Sequence, residues 1–449
     1  MNKIKRRQFL ISSLSGLLWT SLPKISFAAS NPDVVVIGAG AAGLSATHEL
    51  MKQGKSVICI EAMNRIGGRC YTDNSIFGVP YDMGAHWLHG YSHNQLAEYG
   101  KKHKDIFNIY KDRDESYRVY EGKKKLVWPE DAPLWSLYDK IKSIKNDNGT
   151  KDVPLIDLIP EKIKKNEWFG TVQKILGTRD FDNQSPYDSN VNWKDPGEGD
   201  GFCTQGYGTL LAHYRKDVPV KLNTVANEIK WDGKDIKVET NNGTITAKAC
   251  IVTVSTGVLN AGKIKFTPEL PKKKYEAFEG ISMSPYHRVT LQLKESFYQD
   301  YEIDRDTYFY AKVKNEKPYP KSSNGTLRVC YSNISFFSIK GQFAKDLAKE
   351  DDHASIDFIL NYLRSAYGSN IDKYFIKAHV TDWGSNPYTI GAYSGAIPGK
   401  AKLRKILKKS VGKKIFFAGE ATAGAHGCVH GADRSGKRAV KELLKKVKI

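Results

Sequence analysis

Residues 33–43 read DVVVIGAGAAG, and no other run restricts the possible folds so strongly. A β-branched stretch leads into Gly38, Gly40 and Gly43, after which Leu44, His48, Leu50 and Met51 continue with helical spacing. Strand, tight turn and helix therefore follow in that order. Gly38 permits the turn, Gly40 lets the backbone approach a pyrophosphate, and Gly43 lets the helix lie close on the strand, with Ala42 in the same turn. The helix N-terminus then offers free N–H groups to phosphate. A second strand, SVICIEA, runs to Glu61 and Ala62, and Glu61 stands 23 residues after Gly38, where an acidic side chain accepts both ribose hydroxyls of an adenosine. These parts predict an α/β fold with a doubly wound, Rossmann-like parallel sheet and a dinucleotide site on it.

The choice of dinucleotide turns on Arg65-Ile66-Gly67-Gly68-Arg69, directly after Glu61. A Gly-Gly-Arg turn at this place brings Gly68 and the Arg69 guanidinium onto the diphosphate. The stretch resembles the second FAD fingerprint of the amine oxidase superfamily. FAD also gives meaning to the leader, where Arg6-Arg7 precedes an apolar run from Phe9 to Leu22 and Ser26-Phe27-Ala28 supplies small residues for cleavage. Residues 1–28 read as a signal peptide. The arginine pair before Gln8-Phe9-Leu10 resembles a twin-arginine signal, whose export machinery carries proteins already folded. A protein that takes up FAD before it leaves the cytoplasm needs that route, and the expected location is periplasmic or secreted.

The remaining chain is too long for one simple core, so two domains are expected. The net charge is +20, with five of its basic residues in the leader. The other lysines are scattered, as in Lys272 to Lys274 and Lys445-Lys446, with no aromatic–basic repeat. That pattern reads as a solvated surface, with no nucleic-acid partner and membrane association at most peripheral. No later stretch reaches membrane-spanning length. Six cysteines, Cys59, Cys70, Cys203, Cys250, Cys330 and Cys428, contain no C-x-x-C pair, so their spacing indicates neither a metal site nor a redox dithiol. Disulfide pairing and oligomeric state stay open.

Further blocks carry a resemblance over most of the chain. DMGAHWLHG (82–90), GYGTLL (206–211), LNTVANEIKWDG (222–233), CIVTVSTGVLNAGKIKFTPELP (250–271) and IFFAGEATAGAHGCVHGADRSGKRA (415–439) follow, in order, the pattern of flavin-containing amine oxidases of the polyamine-oxidase-like branch. IFFAGEAT also reads by itself as strand, turn and helix, placing Gly419 and Glu420 near a phosphate or ribityl chain. The resemblance implies noncovalent FAD. It lays Gly84, Ala85, His86 and Trp87 along the flavin, has Glu420 bind the cofactor, touches adenine through the Val225 backbone, and puts Val429 under the pyrimidine. It also implies the two-domain architecture of amine oxidases: an FAD-binding domain from 31–95, 205–285 and 385–449, and a discontinuous α+β substrate domain from 96–204 and 286–384. Residues 100–200 are Lys-rich and poorly patterned, with little legible beyond helices.

The implied chemistry is transfer of a hydride from the α-carbon of a (poly)amine to flavin, hydrolysis of the imine, and reduction of oxygen to hydrogen peroxide. In TDWGSNPYTIGAYSGA (381–396), Trp383 matches the flavin-edge tryptophan and Tyr393 one wall of an amine cage. His89 matches a histidine near the substrate amine, beside Trp87. Three positions depart from the pattern. Ala392 replaces the flavin-linked cysteine of monoamine oxidases, Cys428 replaces a second cage tyrosine, and Arg288 in YHRVTLQL replaces a lysine that holds water at the flavin, with His287 a weaker candidate. Asp195, Glu198 and Asp200 are candidates to attract a distal ammonium. Two competing functions follow from the departures: an L-amino-acid oxidase using Arg288 as a carboxylate clamp, and a flavoprotein dehydrogenase or binding protein with little oxidase activity.

Overall fold

In this computed structural model the described residues are 31–113, 116–195, 197–313, 321 and 323–449. The leader and its Arg6-Arg7 pair lie outside them.

The buried run Val34–Ile37 forms the centre of a five-stranded, all-parallel sheet, flanked by Val57–Ile60 and Val220–Lys221 on one side and Ala249–Val252 and Ile415–Phe417 on the other. Alternation assigns its two faces. Val34 and Val36 pack with Leu44 and Leu50 of the helix Ala41–Lys52 and with Val440 and Leu443 of the C-terminal helix Val429–Lys446. Val35 and Ile37 pack the other way, onto Ile229 and Val238 of a four-stranded sheet built from 226–247 and 265–267. Gly43 is demanded by this packing, since a Cβ there would lie 1.8 Å from the Gly38 carbonyl oxygen.

A seven-stranded sheet forms the second body of structure, in the order Phe375–Asp382, Tyr286–Leu293, Ile334–Lys340, Asn324–Leu327, Thr307–Ala311, Tyr117–Glu121 and Lys124–Leu126. All neighbours are antiparallel except Thr307–Ala311 with Tyr117–Glu121. The helix Asp352–Tyr367 covers one part of it through Ile359 and Leu363. The poorly patterned region supplies the helices Ala132–Asp147 and Phe169–Leu176, whose Leu134, Ile141, Phe169 and Val172 make a core of their own with Val119. Its apolar residues are spaced too sparsely between lysines to declare that core in sequence. Among the described residues no helix is long and apolar enough to cross a membrane.

Candidate active site

The carboxyl ends of Val34–Ile37 and Val57–Ile60 open into a cavity of about 1130 Å³ that continues to the face of the seven-stranded sheet. This exceeds the roughly 300–1,000 Å³ of ordinary small-molecule pockets, as a dinucleotide plus a second ligand requires.

At the dinucleotide end Gly38, Gly40 and Ala42 line the wall, and Gly43 lies behind it, in the helix–strand contact. Gly40 precedes the helix Ala41–Lys52, so its first-turn N–H groups face the space a phosphate would take. Glu61 and Ala62 line the same end. Glu61 Oε2 accepts from Ala39 N at 2.6 Å and Oε1 from Met63 N at 2.9 Å, and burial pushes its carboxyl up against these donors. Val225 also lines the wall, but its N–H donates to Asn241 Oδ1 at 2.7 Å and its carbonyl accepts from Asn241 N. Of that amide, only the second lone pair of the carbonyl is left for an adenine.

Gly68, Arg69, Gly419 and Glu420 meet in the middle of the cavity. Arg69 Nη1 donates to the Ala392 carbonyl at 2.6 Å and to Glu420 Oε1 at 3.1 Å. Glu420 also accepts from Ser394 N and Oγ and from Gly427 N. Burial alone would raise its carboxyl, yet Arg69 and these donors hold it below its usual value. Glu420 therefore ties three chain segments to one cation. Val429 opens the C-terminal helix beside Cys428, so a second helix N-terminus faces the cavity.

Gly84, Ala85, His86 and Trp87 line the wall next to the sheet. A Cβ at Gly84 would stand 2.0 Å from the Arg69 carbonyl oxygen and 3.0 Å from Trp383 Cζ2, so this close approach needs glycine. Trp383 is buried and lines the cavity. Arg288 reaches the same segment from its strand. Its Nη1 donates to Asp82 O at 2.8 Å and Gly84 O at 2.6 Å, and its guanidinium lies 4.3 Å from the Phe336 ring centre. His287, one residue away on the opposite face, pairs with Asp382 at 3.3 Å and does not reach the cavity, as strand alternation dictates.

The Tyr393 ring meets the ring of Tyr286 at 5.7 Å and 59°, and both line the cavity. Cys428 lines the cavity without a ring, so the aromatic neighbour of Tyr393 here is Tyr286. Tyr286 OH bonds Ser338 Oγ, and it stands between Arg288 and Lys340 on the sheet face. Burial raises its phenol, but Arg288, Lys340 and the hydrogen bond with Ser338 together outweigh burial and bring it below its usual value. Burial in turn lowers Lys340. Sequence reasoning missed Tyr286 and Lys340; the available signal was the i, i+2 spacing of Tyr286 and Arg288 on one strand face.

At the far end His89 stacks on Trp87, with ring centres 6.2 Å apart and 14° between planes. Its Nδ1 lies 2.8 Å from Asp200 Oδ1, and both side chains keep over a third of their surface exposed. Trp87 Nε1 donates to Tyr308 OH at 3.1 Å, which bonds Asp112. Asp195 and Glu198 are corrected here. The Asp195 side chain is buried against His430 at 2.6 Å and Arg434 at 3.3 Å, so its charge is already met, and Glu198 is exposed outside the cavity wall. Asp195 and Asp200 both line the cavity, and of the two Asp200 alone keeps a partly exposed side chain there.

The donors, the Gly84 cradle and the cavity size fit a flavin dinucleotide. Comparison with known proteins agrees. The model of the flavin-containing amine oxidoreductases matches residues 41–444. Polyamine oxidase 4 of Oryza sativa subsp. japonica is 28% identical over 458 residues, covering 93% of this chain and 90% of that protein. Polyamine oxidase 2 of Arabidopsis thaliana is 27% identical over 456 residues, covering 93% and 89%. The solved structure of wild-type putrescine oxidase bound to putrescine superposes with a TM-score of 0.74 at 18% identity, covering 92% of this chain and 99% of that one. The chain belongs to the flavin-containing amine oxidoreductases, and its fold is theirs. It is an FAD-dependent enzyme that oxidises amines.

Proposed function

We propose that the protein binds FAD noncovalently and oxidises diamines and polyamines, with oxygen as electron acceptor and hydrogen peroxide as product. The observation that carries the substrate class is Asp200. It is a partly exposed carboxylate on the cavity wall, paired with His89, which stacks on Trp87, and the Tyr286–Tyr393 ring pair lines the same cavity. One ammonium of a polyamine would rest at Asp200 while the reacting amine lies between the tyrosine rings. The relatives' names support the same class.

Bound flavin supplies the two-electron acceptor for a hydride leaving the amine α-carbon. The chain's own groups position and desolvate. Arg288 fixes the Asp82–Gly84 backbone, the two tyrosine faces orient the amine, and the buried Trp383 excludes water from that wall. His89 lines the cavity with Nδ1 paired to Asp200, so Nε2 is the ring nitrogen left to hydrogen-bond an amine. Two observations support the noncovalent cofactor: Ala392 carries no nucleophile, and burial pushes up the thiols of Cys70 and Cys428, which line the cavity, so neither offers a thiolate. Against the amino-acid-oxidase alternative, Arg288 Nη1 is held by the Asp82 and Gly84 carbonyls, and Arg179 donates to Ser284 Oγ and Ser282 O.

The same reading includes the division into an FAD-binding domain (31–95, 205–285, 385–449) and a substrate domain (96–204, 286–384), supported by which sheet each segment supplies. It includes export through the twin-arginine machinery to the periplasm or medium, supported by Arg6-Arg7 and the apolar run behind it. The test is anaerobic mixing of the purified protein with spermine, spermidine, putrescine, tyramine and an L-amino acid, followed by air. Bleaching of the flavin by the di- and polyamines, with peroxide on aeration, is expected. Flavin left oxidised by every amine sinks the proposal.

A further inference from the structure

Behind the flavin-side segment, one ring nitrogen of His86, one carboxylate oxygen of Asp306 and the Cys330 sulfur lie within 4.8 Å of one another. The three come from separate loops, at positions 86, 306 and 330, so no spacing rule for metal ligands registers them.

Each is held as a ligand would be. The His86 side chain is 3% exposed, and its Nδ1 lies 2.9 Å from Asp82 Oδ2, leaving buried Nε2 without a hydrogen-bond partner. A buried ring nitrogen with no partner loses the hydrogen bond it had in water unless something not made of protein meets it. Asp306 is oriented by two donors: Cys330 N at 2.7 Å on Oδ1 and Tyr110 OH at 2.7 Å on Oδ2. The Cys330 thiol makes a long contact, 3.9 Å, with the Cys203 carbonyl and lies beside the Tyr110 hydroxyl. The backbone around the cluster is strained as well. Asp306, Arg328, Cys330 and Tyr331 have φ of 51°, 53°, 51° and 63°, the left-handed region that a non-glycine residue rarely adopts. Such conformations persist where surrounding contacts, or a ligand, over-determine them.

We propose that His86, Asp306 and Cys330 bind one divalent cation of the zinc class, with water in the fourth position. Nitrogen, oxygen and sulfur donors together suit a borderline-soft ion, and hard ions such as magnesium or calcium would not take the thiolate. Asp82 behind Nδ1 is the outer carboxylate that orients a ligating histidine and raises its basicity. Tetrahedral bonds of about 2.0–2.3 Å set ligand atoms roughly 3.3–3.8 Å apart, so the cluster closes around an ion by about 1 Å of side-chain movement. On binding, the Cys330 S–H bond is replaced by a sulfur–metal bond and one proton goes to solvent. The ion would tie the 84–87 segment to the loops at 303–306 and 328–331, acting on structure outside the amine chemistry.

The experiment is metal analysis of the purified, flavin-loaded protein after incubation with Zn²⁺ and gel filtration, repeated with Co²⁺. Near-equimolar zinc is expected, with a thiolate-to-cobalt charge-transfer band in the Co²⁺ form. Cys330→Ser should lose the band and bind zinc at least 10-fold more weakly. Less than a tenth of an equivalent of zinc, no band, or equal zinc content in Cys330→Ser overturns the proposal. If Cys330→Ser does not fold, alkylation of wild-type Cys330 is mapped by mass spectrometry with Zn²⁺ or with EDTA. Protection by Zn²⁺ supports the site, and equal labelling overturns it.

Discussion

The guanidinium of Arg288 donates to the carbonyl of Gly84 at 2.6 Å, joining the seven-stranded sheet to the flavin-side segment across 204 residues of chain. Both carbonyls it serves lie in 82–84, so the arginine fixes backbone at the cavity wall. Arg288→Met should weaken flavin binding by about 10- to 100-fold, as expected from losing charge-assisted bonds of about 1.5–3 kcal/mol each. Arg288→Lys keeps the charge and one bond, and should retain flavin with a smaller loss. Flavin titration followed by fluorescence reads both. Wild-type affinity in Arg288→Met removes the residue from the site's architecture. If arginine at this place also slows oxygen, flavin reoxidation in Arg288→Lys is faster than in wild type.

Glu420 gathers Arg69, Ser394 and Gly427 around one buried carboxylate held below its usual value. A carboxyl with a depressed folded value contributes stability that is full above the unfolded value near 4.5 and is lost as pH falls through the folded one. Glu420→Ala should cost about 1–3 kcal/mol at pH 7, since the half-buried Arg69 loses its carboxylate and the N–H groups of Ser394 and Gly427 lose their acceptor. At a pH below the folded value of Glu420, the gap between variant and wild type should narrow. Denaturant unfolding at pH 7 and in acid measures it, and a gap that stays constant contradicts the assignment.

The dinucleotide end was legible because its parts are local: the turn at Gly38 to Gly43 and Glu61 follow one another along the chain, and each has one physical purpose. Arg288 was found by position and its partners were not, because the Gly84 contact depends on how distant segments dock. Tyr286 and Lys340 face each other only through the pairing of Tyr286–Leu293 with Ile334–Lys340, and register between distant strands leaves no mark on either strand alone. Asp195 shows the opposite failure. It read as one of three equivalent loop acids, but its partners His430 and Arg434 sit on the last helix, more than 230 residues on.

Lys340 stands across the strand pair from Tyr286 and, after Arg288, is the second cation that lowers that phenol against the effect of burial. Removing the Lys340 charge should move ionisation of Tyr286 to higher pH, because a cation that favours the phenolate is lost. Ultraviolet difference titration of tyrosinate in Lys340→Met against wild type, with Tyr286→Phe to assign the signal, reads the shift. An unmoved titration means Lys340 does not act on Tyr286.

Asp200 and His89 stand 2.8 Å apart with both side chains partly in solvent, so their pair contributes about 1 kcal/mol at most to the fold and Asp200 keeps an oxygen for another cation. If that cation is the distal ammonium of the substrate, the loss on mutation must depend on whether the substrate has one. Asp200→Asn should raise KM for putrescine by about 5- to 10-fold, equivalent to 1.0–1.4 kcal/mol, while leaving KM for a monoamine of similar length within twofold. The rate of flavin reduction at saturating amine should change little, because Asp200 touches the end of the substrate that does not react. Stopped-flow reduction with matched mono- and diamines separates the two terms. Equal losses for both amines would show that Asp200 acts only by holding His89, and the distal-ammonium site would then be somewhere else.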